Sequence, residues 1–314
     1  MKIAAVQMKA DLADVNANLA KAERLAGEAF RSGAEWVILP EFFTSAVGFS
    51  PKMTKAALPL DGPAMAMLKS VAARHGGTIG GSYIAWRAGE CFNTFVLAAP
   101  DGTTHFHDKD LPTMWENCYY IGGSDDGVLA TGSVRTGVAL CWEFVRSMTA
   151  RRLIGRVDLV VGGSCWWTLP EKPLPGFPRR LHAVNVAIMK ATIPRFARMV
   201  GVPVVHAAHA GEILGRLPLL PGFPYDSFYL GETQIVDGAG NQLAHMARED
   251  GDGFVSAEID PNRDAEPSEP VPDRFWIPDI PWQLRLIWAY QNRHGRRYYK
   301  RKIRPLMQKR FGSR

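Results

Sequence analysis

Residues 2–40 read KIAAVQMKADLADVNANLAKAERLAGEAFRSGAEWVILP, and the fold class follows from them. Ile3-Ala4-Ala5-Val6 is a continuous apolar run of strand length. Val15, Leu19, Ala22, Ala26 and Ala29 then recur at three- and four-residue spacing, with Asp14 placed to cap and Gly33 to stop, which predicts an amphipathic helix. Trp36-Val37-Ile38-Leu39 is a second apolar run, ended by Pro40. Strand, helix, strand with a right-handed crossover makes the two strands parallel neighbours and the chain α/β.

The pattern continues. Residues 62–75 predict a helix, and 77–85 and 92–98 predict strands. Pro100-Asp101-Gly102 turns into a strand over 103–107, where Thr104 and Phe106 alternate with their neighbours as in a half-buried antiparallel partner. Strands over 134–141, 157–161 and 202–207 are interleaved with helices over 144–154 and 179–200. Residues 225–230 and 233–236 read as a strand pair leading into the turn Asp237-Gly238-Ala239-Gly240, and 254–259 closes the series. Helical crossovers together with hairpins predict a mixed sheet. Pro175-Gly176-Phe177-Pro178 is echoed by Pro221-Gly222-Phe223-Pro224, each in a loop after a strand, where open α/β sheets carry their ligand sites. Six prolines between 260 and 281 predict an extended linker over 261–281. That makes 1–260 the main domain and 282–314 a basic, aromatic tail.

Composition excludes other classes. With 314 residues, 46% hydrophobic and 22% charged, the chain is neither disordered nor collagenous, and four cysteines are too few for a disulfide scaffold. Apolar runs stay far below the roughly 20 residues a bilayer span needs, and the first eight residues are too short for a signal peptide. The expectation is a cytoplasmic protein with reduced thiols. The net charge of +6 is unevenly placed: residues 280–314 hold eleven basic residues and no acidic one, leaving the rest at −5. Such a tail suits an anionic membrane surface, nucleic acid or an acidic face of a neighbouring subunit, and the −5 body favours the last.

Among Cys91, Cys118, Cys141 and Cys165 no CxxC pair occurs, so neither dithiol chemistry nor a Cys-based metal site is expected. Cys141 stands out. Gly137-Val138-Ala139-Leu140-Cys141 places it at the end of a buried strand before a predicted helix, where a sharp turn exposes the side chain and favours its thiolate. Glu41 follows the strand ending at Pro40, and Lys109 follows the strand over 103–107. His105 and His107 share one strand face and His206 and His209 lie near another strand end, but no acidic or Cys ligand stands at zinc spacing. Gly80-Gly81 and Gly162-Gly163 lack the residues of a phosphate loop. No metal and no cofactor is expected.

The segments IAAVQM, LPEFF around Glu41, HDKDLP around Lys109, GVALCWE around Cys141 and GETQIVDGAGNQLA resemble the nitrilase superfamily of carbon–nitrogen hydrolases over about residues 2–260. The spacing fits as well: 68 residues separate Glu41 from Lys109, and 32 separate Lys109 from Cys141. The resemblance implies a four-layer α-β-β-α sandwich with mixed sheets and a homodimer or larger homo-oligomer packed helix face to helix face. It implies Cys141 as nucleophile, Glu41 as general base, and Lys109 with the Trp142 amide as oxyanion stabilisers. Glu116, in WENCYYIGG, resembles the second glutamate that orients lysine and substrate. Trp142, Trp166, Trp167, Phe42 and Phe43 are candidates to line an apolar acyl pocket. The implied reaction is hydrolysis of a small non-peptide amide or carbamoyl amide through a thioester, with ammonia released. A true nitrilase, taking a nitrile through a thioimidate, is the alternative within the same chemistry. An inactive scaffold whose basic tail binds membrane or nucleic acid is the alternative outside it.

Overall fold

Side chains along β1 (Lys2–Met8) alternate between two apolar layers, and that alternation sets the architecture. Ala4, Val6 and Met8 face α1 (Val15–Arg31) and α2 (Pro63–His75), while Ile3 and Ala5 face the opposite way, into a core made of strands alone. The computed structural model describes residues 1–132, 134–170, 180–216, 224–261 and 266–312.

After β1 come α1, β2 (Trp36–Ile38), β3 (Leu58–Pro59), α2, β4 (Thr78–Arg87), β5 (Glu90–Ala98) and β6 (Thr104–Asp108). Next are β7 (Val128–Thr131), β8 (Val134–Leu140), α3 (Ser147–Leu153), β9 (Leu159–Ser164), α4 (Arg180–Val200) and β10 (Val204–His209). β11 (Glu212–Arg216), β12 (Pro224–Phe228), β13 (Thr233–Val236), β14 (Gln242–Met246) and β15 (Gly253–Glu258) complete the strands. Pairing runs β6-β5-β4-β2-β1-β10-β9-β8-β7, with β15 antiparallel on β1 and β13 on β10. β1 and β2 are parallel, as the opening stretch predicts, and Asp14 caps α1 by accepting from Ala17 N at 3.2 Å.

Three of the apolar cores among the described residues stack as layers. One lies under α1 and α2. A middle one joins Ile3, Phe95, Val138, Leu140, Val161 and Val205 from facing strands. A third lies under α3 and α4, around Phe144, Phe196 and Val204. Helix, sheet, sheet, helix is the expected α-β-β-α sandwich.

Local details depart from expectation. The helix predicted over 144–154 is a 3₁₀ turn, Cys141–Val145, followed by α3. Between them Arg146 is extended, forms a bridge with Trp276 and pairs with Asp110, contacts a continuous helix would break. β12 pairs with β11 rather than β13, which joins β14 across the predicted turn. On β6 it is His107 that faces in, fully buried, while Phe106 is 40% exposed. The echoed segments at 175–178 and 221–223 lie outside the described residues.

Residues 275–280 lie along the body: Ser147 N donates to Phe275 O, Ile277 N donates to Val145 O, and Ile277 and Ile280 are buried. Beyond them α5 (Trp282–Tyr298), a π turn at Tyr299–Ile303 and α6 (Arg304–Phe311) run in series. Gly295 lets α5 meet the 3₁₀ turn Met114–Cys118, since a Cβ there would stand 2.6 Å from Asn117 Cβ. Tyr299 OH donates to Glu90 and accepts from Cys91 N. No helix among the described residues is long and apolar enough to cross a membrane.

Candidate active site

Glu41, Lys109 and Cys141 come from loops that follow β2, β6 and β8, and the sandwich brings them to one end. Glu41 reaches it because Gly163 on β9 has no side chain: a Cβ there would stand 3.1 Å from Glu41 N and 2.4 Å from Ala207 O. His209 Nε2 donates to Glu41 O at 2.8 Å and fixes the loop. Cys141, at φ +51°, and Phe42, at φ +54°, both adopt the left-handed region, a strain of order 1–3 kcal/mol each that tight packing must hold. The turn aims the sulfur at the two carboxylates: oxygens of Glu41 and Glu116 and Cys141 Sγ lie within 4.8 Å of one another.

Lys109 Nζ sits between those carboxylates, 2.8 Å from Glu41 Oε1 and 2.7 Å from Glu116 Oε2. All three side chains are fully buried. Asn93 Nδ2 also donates to Glu41 Oε1, and Cys165 N donates to Glu41 Oε2, both at 2.9 Å. Glu116 Oε2 takes the Tyr120 hydroxyl and Thr113 N, while its Oε1 is buried without a protein partner. Glu41, Lys109, Glu116 and Cys141 thus lie together, and Trp142 follows Cys141 directly.

Burial raises the Glu41 carboxyl, Lys109 pulls it down and Glu116 raises it again, leaving it at about 7. Lys109 is held well above its ordinary range: burial opposes its charge, but Glu116 and Glu41 outweigh that. The Cys141 thiol is pushed well up, by burial first and Glu41 second, against Lys109. A 3₁₀ turn rather than a helix follows the sulfur, and two carboxylates face it, so the surroundings oppose the thiolate that a helix start would favour.

Residues 2–155 match the carbon–nitrogen hydrolase family. That match places residues 2–155 in the carbon–nitrogen hydrolase family. It is 26% identical over 249 residues to a 2-oxoglutaramate amidase of Bacillus subtilis, covering 76% of this chain and 83% of that protein. A CN-hydrolase superfamily protein from Xanthomonas campestris, solved with an arsenic adduct in its active site, has the same fold: TM-score 0.66, 22% identity, covering 83% of this chain and 90% of that one. An amidase from Nesterenkonia sp. AN1, solved after acrylamide had added to its active-site cysteine, matches at TM-score 0.63 and 18% identity over 83% of this chain and 93% of that one.

The aromatic candidates of this hydrolase surround the cluster in different ways. Trp167 stacks on Trp115 with centroids 4.5 Å apart, beside Glu116. Trp142 stacks on Trp288 of α5 at 5.1 Å and meets Trp166 at 5.8 Å. Phe42 is fully buried against Tyr120, and Phe43 packs against Tyr83 under α1 and α2. The three buried histidines each have partners: His107 with Asp125 and Glu143, His206 with Ser164 and Glu232 O, His209 with Glu41 O. Asn93, Tyr120 and His209 escaped the sequence reading as supports of the site. Asn93 carried the one usable signal, a polar side chain within the predicted strand over 92–98.

Proposed function

We propose that this hydrolase cleaves a small non-peptide amide through a thioester on Cys141, with Glu41 as general base and Lys109 as oxyanion donor. The observation that carries this is the ammonium of Lys109 held between two carboxylates beside the Cys141 sulfur. An ammonium has three donors; two are used, and the third is left for the carbonyl oxygen of a substrate. A carboxyl near 7 is well placed to take a thiol proton at neutral pH.

Sulfur attacks the carbonyl carbon while its proton passes to Glu41, and the oxyanion forms against Lys109 and the Trp142 amide. The C–N bond then breaks, the proton goes from Glu41 to the departing nitrogen, and ammonia leaves. Water attacks the thioester, gives its proton to Glu41, and the released sulfur takes that proton back. The unpartnered Glu116 Oε1 faces a need for a donor, which the NH₂ of an amide supplies and a nitrile lacks. Similarity to a 2-oxoglutaramate amidase supports the amide as well. Trp142, Trp166, Trp167 and Phe42 wall the acyl side in this proposal.

Ammonia release from matched amides and nitriles tests the proposal. Turnover of amides that disappears in Cys141→Ala is expected; turnover of nitriles with amides inert would replace it with a nitrilase. The setting we infer is cytoplasmic, supported by four free, buried cysteines. The assembly we infer is a homodimer or larger, supported by Trp282, Leu286 and Tyr290 exposed in line along α5 next to a run of basic residues. Light scattering in solution checks the assembly, and a monomer at all concentrations would refute it.

A further inference from the structure

Lys109 follows β6 and Cys141 follows β8, strands near opposite ends of the pairing order, so no strand ladder joins them directly. Two of the links that cross the gap bear on the backbone beside these residues. One is backbone: Gly123 N donates to Lys109 O at 2.9 Å, and Val138 N donates to Gly127 O at 2.8 Å. The other is a single side chain. Glu143 Oε2 accepts from Leu140 N, just before Cys141, at 2.8 Å, and Glu143 Oε1 accepts from Asp110 N, just after Lys109, at 3.1 Å.

Cations hold that carboxylate in place. His107 Nε2 lies 3.1 Å from Oε2, and an Arg152 nitrogen lies 2.9 Å from Oε1. Asp125 holds His107 from its other nitrogen, and Asp110 draws in Arg146 and Arg152 beside the same group. Glu143 is fully buried; although burial opposes its charge, His107 and Arg152 keep it well below the usual carboxylate range. Ionised, it offers acceptors only, as two backbone amides require.

We propose that Glu143 is a positioning residue which sets the spacing between the Lys109 ammonium and the Cys141 sulfur by binding the backbone beside each. The proposal rests on those two residues acting as described above. A carboxamide at this position turns an NH₂ toward Leu140 N–H or Asp110 N–H, donor against donor, and one side of the site must move. A displacement near 1 Å costs about 100-fold in rate.

The test compares full-length wild type, Glu143→Gln and Glu143→Asp for kcat, KM, melting temperature and the rate at which iodoacetamide alkylates Cys141. Ile79→Val, which removes a buried methyl under α1 and α2, serves as a destabilised reference. Glu143→Gln is expected to lower kcat about 100-fold with KM within about threefold and to slow alkylation, with Glu143→Asp recovering part of both. Ile79→Val is expected to melt earlier at unchanged kcat. A folded Glu143→Gln with wild-type kcat and alkylation overturns the proposal. Should that variant not fold, wild-type kcat and alkylation in Glu143→Asp overturn it instead. Full turnover in Cys141→Ala removes the catalytic reading itself, whereas an inert Cys141→Ala beside an unaltered Glu143→Gln removes only the positioning role.

Discussion

Glu41 and Glu143 are both fully buried carboxylates in contact with cations, yet burial prevails at Glu41, which rises to about 7, and the cations prevail at Glu143, which falls well below the ordinary range. The difference lies in how the positive charge is shared. Glu41 shares one ammonium with a second buried carboxyl, Glu116. Glu143 has His107 and Arg152 and binds two backbone amides besides. A carboxylate short of counter-charge can exchange a proton; one matched by counter-charge holds structure.

The largest break in the comparison is Cys141→Ala, which leaves both ion clusters intact and is expected to lower ammonia release about 10⁴-fold or more, with folding unchanged by circular dichroism. Lys109→Met comes next. It strands Glu41 and Glu116 together, and thermal or urea unfolding should show a loss of about 3–5 kcal/mol along with loss of turnover. A full-strength Lys109→Met protein would mean that the cluster is not ionised as described.

The pH dependences separate the two clusters. Glu41 must be ionised to accept the thiol proton, so kcat/KM should rise with pH through a midpoint near 7. His107 is held at about 9 by Glu143 and Asp125 against burial. Its folded value lies above the unfolded one, so its stabilisation is full below about 6.5 and lost as pH rises through about 9. Urea titrations across that window should show a decline of roughly 3 kcal/mol that His107→Gln flattens. A flat wild-type profile would refute the charged histidine. Tyr120→Phe is the mildest case: Glu116 Oε2 keeps Lys109 and Thr113 N, so about 1 kcal/mol and a few-fold in kcat are expected.

The split between the clusters also marks what was legible in the sequence. Strand ends are readable from sequence, which put Glu41, Lys109 and Cys141 each just after a strand; that they share one mouth of the sheet was implied by the family resemblance. The supports could not be placed. Asn93, His209 and the Cys165 amide reach Glu41 from positions 52, 168 and 124 residues away, and only the packed sandwich brings them there. His107 shows the limit clearly: its neighbour Phe106 carries the apolar side chain, yet the ion cluster turns the histidine inward. The break in the helix after Cys141 was likewise hidden, because Asp110 and Trp276, which hold Arg146 extended, lie 36 and 130 residues distant.

Rapid quenching of wild-type protein with a turned-over amide, followed by intact-mass analysis and peptide mapping, addresses the central chemistry most directly. An acyl adduct confined to the peptide bearing Cys141, formed with the first equivalent of ammonia and absent from Cys141→Ala, is the predicted result. An adduct on Cys165, or ammonia released at the wild-type rate with no adduct on any cysteine, would contradict it.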